Sequence, residues 1–421
     1  MKTKICRCCK KKGFKQILDY GRVALADSFL YEKEIINEKK YPLKLCICVN
    51  CFHVQIDEII DPKTLFENYV WETGVSKSIF EFAIRLYEKT KKIMIKKESR
   101  ILEIASNDGT VLSVFKKNGC KILGVEPAKN IASDANEKGI PTINEFFNYE
   151  TAKKIANNYG KWDVCIARNV IAHVSDLHGL VKGIQTILDK DGFAMIEFPH
   201  LQKMYNDLQY DQVFHEHIGY HSLHSIVFLF GLYNMEVFDV EELEVHGGSL
   251  RVFIKHEGSK RVKKYDVVKT MISEINSGIF SINNWEDYAH RCLIHKKSLR
   301  ELVEKCKDEG EHIVIYGASG KGQSLIQMSE ITKDMISGVV DKSIMKQGKF
   351  TPGSHMKIHP TEYIYESKAG VILLCAWNIA KEIINQEKSF MEQGGRFLIP
   401  FPEPHFYKKS IGVKHQIKNK I

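Results

Sequence analysis

Arg100-Ile-Leu-Glu-Ile104, then Ala105-Ser-Asn-Asp-Gly109, then Val111-Leu-Ser-Val-Phe115, lead into Lys121-Ile-Leu-Gly-Val125 and end on Glu126. An apolar run, a polar turn, an apolar stripe at helical spacing and a second apolar run spell a βαβ unit, right-handed by default. Glu126 closes the second strand 23 positions after Glu103. A carboxylate there can accept both ribose hydroxyls of an adenosine-containing cofactor. A dinucleotide would need G-x-G-x-x-G to let backbone approach its pyrophosphate, and this turn offers Gly109 among Ala105, Ser106, Asn107 and Asp108. Its carboxylate and amide groups suit a cationic amino-acid cofactor instead. A βαβ unit that binds nothing is the plainer alternative.

Downstream, two further strands are expected at Trp162-Asp-Val-Cys-Ile166 and Gly192-Phe-Ala-Met-Ile196-Glu197-Phe198. Ligands of open α/β sheets sit beyond the carboxyl ends of the strands, which puts Asn169 and His173 at the mouth of the site. His173 is equally readable as a structural histidine. Phe214-His215-Glu216-His217-Ile-Gly-Tyr220-His221 then interrupts an apolar stretch. On an extended segment His215 and His217 would share a side, with Glu216 opposite. Histidine titrates near neutrality, so one of the two is a candidate general base. The H-E-x-x-H spacing of zinc proteases is absent.

Upstream, Cys6-Arg-Cys-Cys9 and Cys48-Val-Asn-Cys51 make two C-x-x-C pairs, each able to hold one side of a tetrahedral zinc. Four thiolates leave no open position, so such a zinc is structural and supplies folding energy to a segment too small for its own core. Cys8 and Cys46 leave the choice of ligands open, and buried free thiols are the alternative. Leu25-Ala-Asp-Ser-Phe29 and Pro42-Leu-Lys-Leu45 read as a strand-rich insert between the pairs.

Toward the C-terminus, Glu311-His-Ile-Val-Ile-Tyr316 is a buried-strand run followed by Gly317-Ala-Ser-Gly320-Lys321-Gly322 and a helical pattern. A glycine-rich turn opening a helix presents N–H groups to anions, and Lys321 adds a charge. Ile336-Ser-Gly-Val-Val340 is a second strand ending at Asp341, and Val371-Ile-Leu-Leu-Cys-Ala376 a third, before Trp377. By itself this pattern admits a nicotinamide or no ligand.

At 421 residues two or three domains are expected. No run approaches the roughly 18 apolar residues of a membrane span, and no secretory signal opens the chain, so we place it in the cytoplasm with no membrane partner. A net charge of +9 is spread in short lysine groups such as Lys10 to Lys12 and Lys96-Lys97. That favours anionic substrates, and no aromatic-basic patch points to nucleic acid.

Glu103-Ile-Ala-Ser-Asn-Asp-Gly109, Gly124-Val-Glu-Pro127, Arg168-Asn-Val-Ile-Ala-His-Val174, His215-Glu-His217, His246-Gly-Gly-Ser-Leu-Arg251 and Tyr316-Gly-Ala-Ser319 occur in that order. Together with the cysteine pairs they resemble the sugar C-methyltransferases of deoxysugar biosynthesis, typified by nucleotide-hexose 3-C-methyltransferases. The resemblance spans nearly the whole chain. It implies an α/β protein: a zinc-binding module over 1–70, a Rossmann-like S-adenosylmethionine domain over 71–258, and a second Rossmann-like domain over 259–421 that binds the sugar nucleotide. It also implies methyl transfer to a 4-keto sugar carried on dTDP, GDP or CDP, through an enolate.

Carried onto this chain, the resemblance makes His217 the base, with Glu216 and His173 handling or positioning the proton. Glu103, Ala105, Asn107, Asp108, Gly109, Glu126 and Asn169 would line S-adenosylmethionine. Trp71, Phe214, Tyr220 and Arg251 would meet the sugar; Gly317, Ser319, Lys321 and Asp341 would meet its nucleotide. Cys6, Cys9, Cys48 and Cys51 would hold Zn2+. Three positions depart from the family: Ala105 replaces its glycine, and Trp71 and Phe214 replace tyrosines near the substrate. The rival readings are a zinc-containing nucleic-acid methyltransferase and a nicotinamide-dependent oxidoreductase.

Overall fold

The computed structural model describes residues 5–61, 65, 77–94 and 98–407. Trp71 lies outside them. The chain divides into two compact units, one taking residues through Ser28 and then Asn37–Leu293, the other Phe29–Ile36 and the chain from Ile294 onward.

The first unit begins with β1 (Phe14–Ala24), β2 (Lys40–Cys48) and β3 (Val54–Ile56), then helix α1 (Lys77–Lys91). β4 (Arg100–Ile104), α2 (Thr110–Lys117) and β5 (Lys121–Val125) are the expected βαβ unit. There follow α3 (Lys129–Glu137), β6 (Thr142–Ile143), α4 (Tyr149–Tyr159), β7 (Trp162–Arg168), α5 (Leu177–Ile187) and β8 (Leu188–Pro199). α6 (Leu201–Asn206), β9 (Gly219–Tyr220), α7 (Leu223–Gly231), β10 (Met235–Leu243), β11 (Ser249–His256) and α8 (Tyr265–Ser277) come next.

Its main sheet has the order β10-β11-β8-β7-β4-β5-β6. The five strands from β8 to β6 run parallel, while β11 runs against β8 and β10 against β11. Central parallel strands are covered on both faces and so read as continuous apolar runs. Alternation still sorts their side chains. Ile101, Val164, Ile166 and Met195 join Val111, Leu112 and Phe115 in one core. Leu102, Ile104, Cys165, Ala167 and Ile196 join Leu180, Ile184 and Leu229 in the other. The chain winds outward from β4 to β6 and returns to β7, which makes the carboxyl edge between β4 and β7 the topological switch point where ligands bind.

A second, antiparallel sheet has the order β1-β2-β3-β9. β9 lies far along the chain, yet Tyr220 pairs with Val54 of β3. The residues just before β9 are therefore tied to the cysteine module.

The other unit holds β12 (Ile313–Tyr316), α9 (Gly320–Met328), β13 (Gly338–Val340), β14 (Ile358–His359), β15 (Val371–Leu374), β16 (Arg396–Ile399) and β17 (His405–Phe406). Their sheet order is β14-β13-β12-β15-β16-β17, parallel except for β17. Its core gathers Val314, Tyr316, Val340, Ile372, Leu374 and Phe397. β12 and β15 flank the switch point of this sheet, and the Gly317–Gly322 turn leaves β12 there. Among the described residues no helix is long and apolar enough to cross a membrane.

Candidate functional site

The Cys6, Cys9, Cys48 and Cys51 sulfurs lie within 4.8 Å of one another. Cys6 Sγ is 3.7 Å from Cys51 Sγ and Cys9 Sγ is 3.6 Å from Cys48 Sγ. Four thiolates at about 2.3 Å from a tetrahedral zinc stand about 3.8 Å apart, so the spacing fits zinc. Asn50 N–H points at Cys48 Sγ, 3.4 Å away, a contact that steadies a ligand sulfur. Cys8 is turned aside toward the Ser225 carbonyl, 3.9 Å away, and belongs to the core.

At the switch point of the main sheet the turn after β4 holds Ala105 at φ 51°, Asn107 at φ 51° and Gly109 at φ 75°. Left-handed backbone at a non-glycine residue is uncommon, and the alternation here folds the loop tightly over the strand end. A Cβ at Gly109 would meet Ile140 at 2.7 Å, so glycine is required there for space as well as for φ. Glu126 Oε2 accepts from Asn107 N–H and its Oε1 from Ala128 N–H, each at 2.9 Å. Its carboxylate is thus aimed by backbone before any ribose arrives. Asp108 Oδ1 accepts from the Thr110 N–H at 3.1 Å and hydroxyl at 2.7 Å, which commits one oxygen to starting α2.

Glu103 is 1% exposed and lies 3.3 Å from Arg168 Nε. Burial, helped by the nearby Asp108 and Glu126 and opposed by Arg168, pushes its carboxyl up to about 7. Three buried acceptor atoms stand without a hydrogen-bond partner at the ends of β4 and β7: Glu103 Oε2, Ser106 Oγ and Asn169 Oδ1. An oxygen-lined edge with crowded carboxyls favours a cation, which fits the sulfonium and ammonium of S-adenosylmethionine. Ser106 escaped the sequence reading; its hydroxyl lies where a Cβ at Gly124 would come within 2.3 Å.

Phe214–His217 is not extended. His217 N–H bonds the Phe214 carbonyl at 3.0 Å, so the chain turns and alternation no longer applies. The two imidazoles diverge. His215 Nε2 faces the Pro42 carbonyl at 3.2 Å, its ring stands edge-on to Tyr41, and burial lowers its pKa. His217 lies against Phe214, with centroids 4.2 Å apart, and 4.9 Å from His173. Its Nδ1 donates to the Gln212 carbonyl at 3.2 Å, which leaves the lone pair on Nε2. Between Gln209 and Leu223, His217 is the one residue that is not buried.

His173 Nδ1 donates to the Glu216 carbonyl oxygen at 2.6 Å, and burial pushes its pKa down to about 4, so its ring is neutral near pH 7. Burial beside Asp27 pushes the Glu216 carboxyl well above the ordinary carboxyl range. Tyr220 donates its hydroxyl to the His217 carbonyl at 2.9 Å and bolts the turn together.

Arg251 sits between two carboxylates. Its Nη2 lies 2.9 Å from Glu197 and its Nη1 2.9 Å from Glu241, and its guanidinium stacks on Phe82 of α1. Arg168 stacks on the same ring. A guanidinium held by two carboxylates braces β8, β10, β11 and α1.

In the other unit, Gly317 at φ 100° and Gly322 let the turn pack against β15; a Cβ would meet Ala376 at 2.9 Å or Cys375 at 2.8 Å. Ser319 Oγ caps α9 by accepting from Gly322 N–H at 3.3 Å. Lys321 lies 5.9 Å over the Trp377 ring. Asp341 accepts from Ala318 N–H and Ser343 N–H, each at 2.8 Å, so its carboxylate shapes the turn. Gln323, 1% exposed at the start of α9, has neither amide atom hydrogen-bonded. Sequence reading had no signal for it.

Family models match three stretches: a zinc binding domain over residues 6–66, a methyltransferase domain over 76–240, and a C-methyltransferase C-terminal domain over 244–402. C-methyltransferase NovU of Streptomyces niveus is 32% identical over 401 residues, covering 95% of this chain and 96% of its own. Among solved structures, a methyltransferase of Anabaena variabilis shares 17% identity at a TM-score of 0.35, over 42% of this chain and 85% of its own. Magnesium protoporphyrin IX methyltransferase of Synechocystis, solved with bound S-adenosylmethionine, shares 10% identity at a TM-score of 0.31, over 43% of this chain and 79% of its own. On the strength of the near-full-length relative, the chain belongs to the C-methyltransferase family and is an S-adenosylmethionine-dependent methyltransferase.

Proposed function

We propose that this C-methyltransferase acts on a nucleotide-linked 4-keto deoxysugar, at the carbon next to the ketone, C3, with His217 as the base. The domains we assign are 1–70, 71–258 and 259–421, for zinc, cofactor and sugar nucleotide. The observation that carries the reading is His217: a histidine with its lone pair on Nε2, emerging from a run that is otherwise buried.

A carbon bound to hydrogen is no nucleophile until a neighbouring carbonyl can spread the charge left by proton removal, so C-methylation needs a base. His217 Nε2 takes the proton while the Gln212 carbonyl stabilises the imidazolium through Nδ1–H. His173 stays neutral and holds the turn through the Glu216 carbonyl. The Glu216 carboxyl, raised by burial beside Asp27, handles the proton next to His217. Phe214, in place of a family tyrosine, packs on the imidazole and keeps water from that face.

S-adenosylmethionine supplies, when bound, an electrophilic methyl group. Glu126 would hold its ribose, and Glu103 with Asn169 would face its cationic end. In the C-terminal domain the N–H groups of the Gly317–Gly322 turn, Lys321 and Gln323 would take the nucleotide. Asp341, which accepts from Ala318 N–H, holds that turn in shape.

The test is exchange of the sugar's α-hydrogen with deuterated water across a panel of 4-keto sugar nucleotides, alongside a mass gain of one CH2 when S-adenosylmethionine is added. His217→Ala should abolish both readouts, and His215→Ala should keep the exchange. Exchange at the normal rate in His217→Ala would falsify the assignment.

A further inference from the structure

Asn169 and His246 meet at the carboxyl edge of the main sheet although neither backbone is relaxed there. Asn169 has φ 54° and His246 φ 57°, and Asn169 Nδ2 donates to His246 Nε2 at 3.2 Å. Strained backbone at two facing residues persists where the surroundings over-determine it. Here they do. Asn169 N–H is held by the Glu197 carbonyl at 2.7 Å. The His246 loop is fixed by His200 N–H on the Gly248 carbonyl at 3.0 Å and by Gln209 Nε2 on the Gly247 carbonyl at 2.7 Å.

The consequence concerns which end of the Asn169 amide faces inward. Because the imidazole accepts from Nδ2, Oδ1 is turned the other way, buried and without a hydrogen-bond partner. Register places it. Ala167 pairs with Ile104 and Arg168 Nε lies 3.3 Å from Glu103, so Asn169 leaves β7 beside the end of β4. We propose that His246 is a positioning residue that locks the Asn169 amide with its carbonyl oxygen toward the sulfonium of the cofactor. A donor at that spot would repel the positive sulfur, whereas a fixed carbonyl dipole attracts it. If Nε2 carried the proton, the amide would flip and present N–H to the cation.

The same loop reaches the base. Gln209, bonded to Gly247, accepts from Gln212 Nε2, and the Gln212 carbonyl orients His217. One loop thus sets the facing group on the cofactor side and the tautomer on the base side. The proposal rests on the cofactor reading of Asn169.

The experiment compares binding of S-adenosylmethionine with that of S-adenosylhomocysteine, whose sulfur is neutral, by calorimetry. His246→Gly removes the acceptor and tolerates the left-handed φ, so the loop can keep its path. It should weaken S-adenosylmethionine about tenfold and S-adenosylhomocysteine less than about threefold, since an interaction with charge is the stronger one. His246→Gln, which retains an acceptor, should restore the preference. Equal weakening of both ligands in His246→Gly, or no recovery in His246→Gln, overturns the positioning role while wild-type binding still upholds the cofactor site. A wild-type chain binding neither ligand overturns both.

Discussion

Replacing Glu103 by Gln should change how cofactor binding responds to pH. The carboxyl is buried, 1% exposed, and is pushed from an ordinary 4.5 up to about 7. The folded chain therefore keeps a proton that the unfolded chain has released between those values. Stability associated with that proton is complete below pH 4.5 and is lost as pH rises through 7, by up to about 3 kcal/mol. A cation docking against Glu103 demands the carboxylate, so the proton must leave. At pH 6 about 0.9 of the molecules are protonated there, and S-adenosylmethionine binding should release close to that fraction of a proton. Affinity should accordingly be about tenfold weaker at pH 6 than at pH 8 relative to Glu103→Gln, the baseline that cancels titration of the ligand's own ammonium. Calorimetry in buffers of different ionisation enthalpy measures both quantities. Equal proton release in wild type and Glu103→Gln would refute the reasoning.

Metal analysis of protein purified without chelator should find about one zinc per chain, and Cys48→Ser should lose both the metal and solubility; zinc-free, soluble wild type would remove the site. Ala105→Gly should raise stability by about 1 kcal/mol, read as a higher Tm, because glycine relieves a left-handed φ of 51°. A lower Tm would mean the alanine methyl contributes more than its strain costs.

The cofactor βαβ unit was legible because every signal in it is local: apolar runs, a polar turn and Glu126 lie within some two dozen residues. The cysteine pairs were legible for the same reason, each pair being a short motif. Phe214–His217 misled because alternation predicts sidedness only on an extended strand, and a single bond from His217 N–H to the Phe214 carbonyl cancels it. Arg251 and Asp341 were placed by motif, yet their partners are set by packing: Glu197 comes from a neighbouring strand, and Ala318 from a turn 23 residues earlier. His246 could have been suspected from its two following glycines. Nothing local announces its contact with Asn169, 77 positions away.

The pairing of β9 with β3 has a consequence for how the protein could be cut or recombined. A fragment beginning at Lys77 would retain the whole cofactor sheet but would leave Gly219–Tyr220 without the strand it borders. The turn that carries His217 would then hang from an exposed edge open to pairing with other chains. Such a fragment should bind the cofactor poorly if it aggregates, and should lack an ordered His217 even if it does not. The N-terminal module is therefore no detachable appendage: any chimera that exchanges it must exchange Phe214–Tyr220 with it.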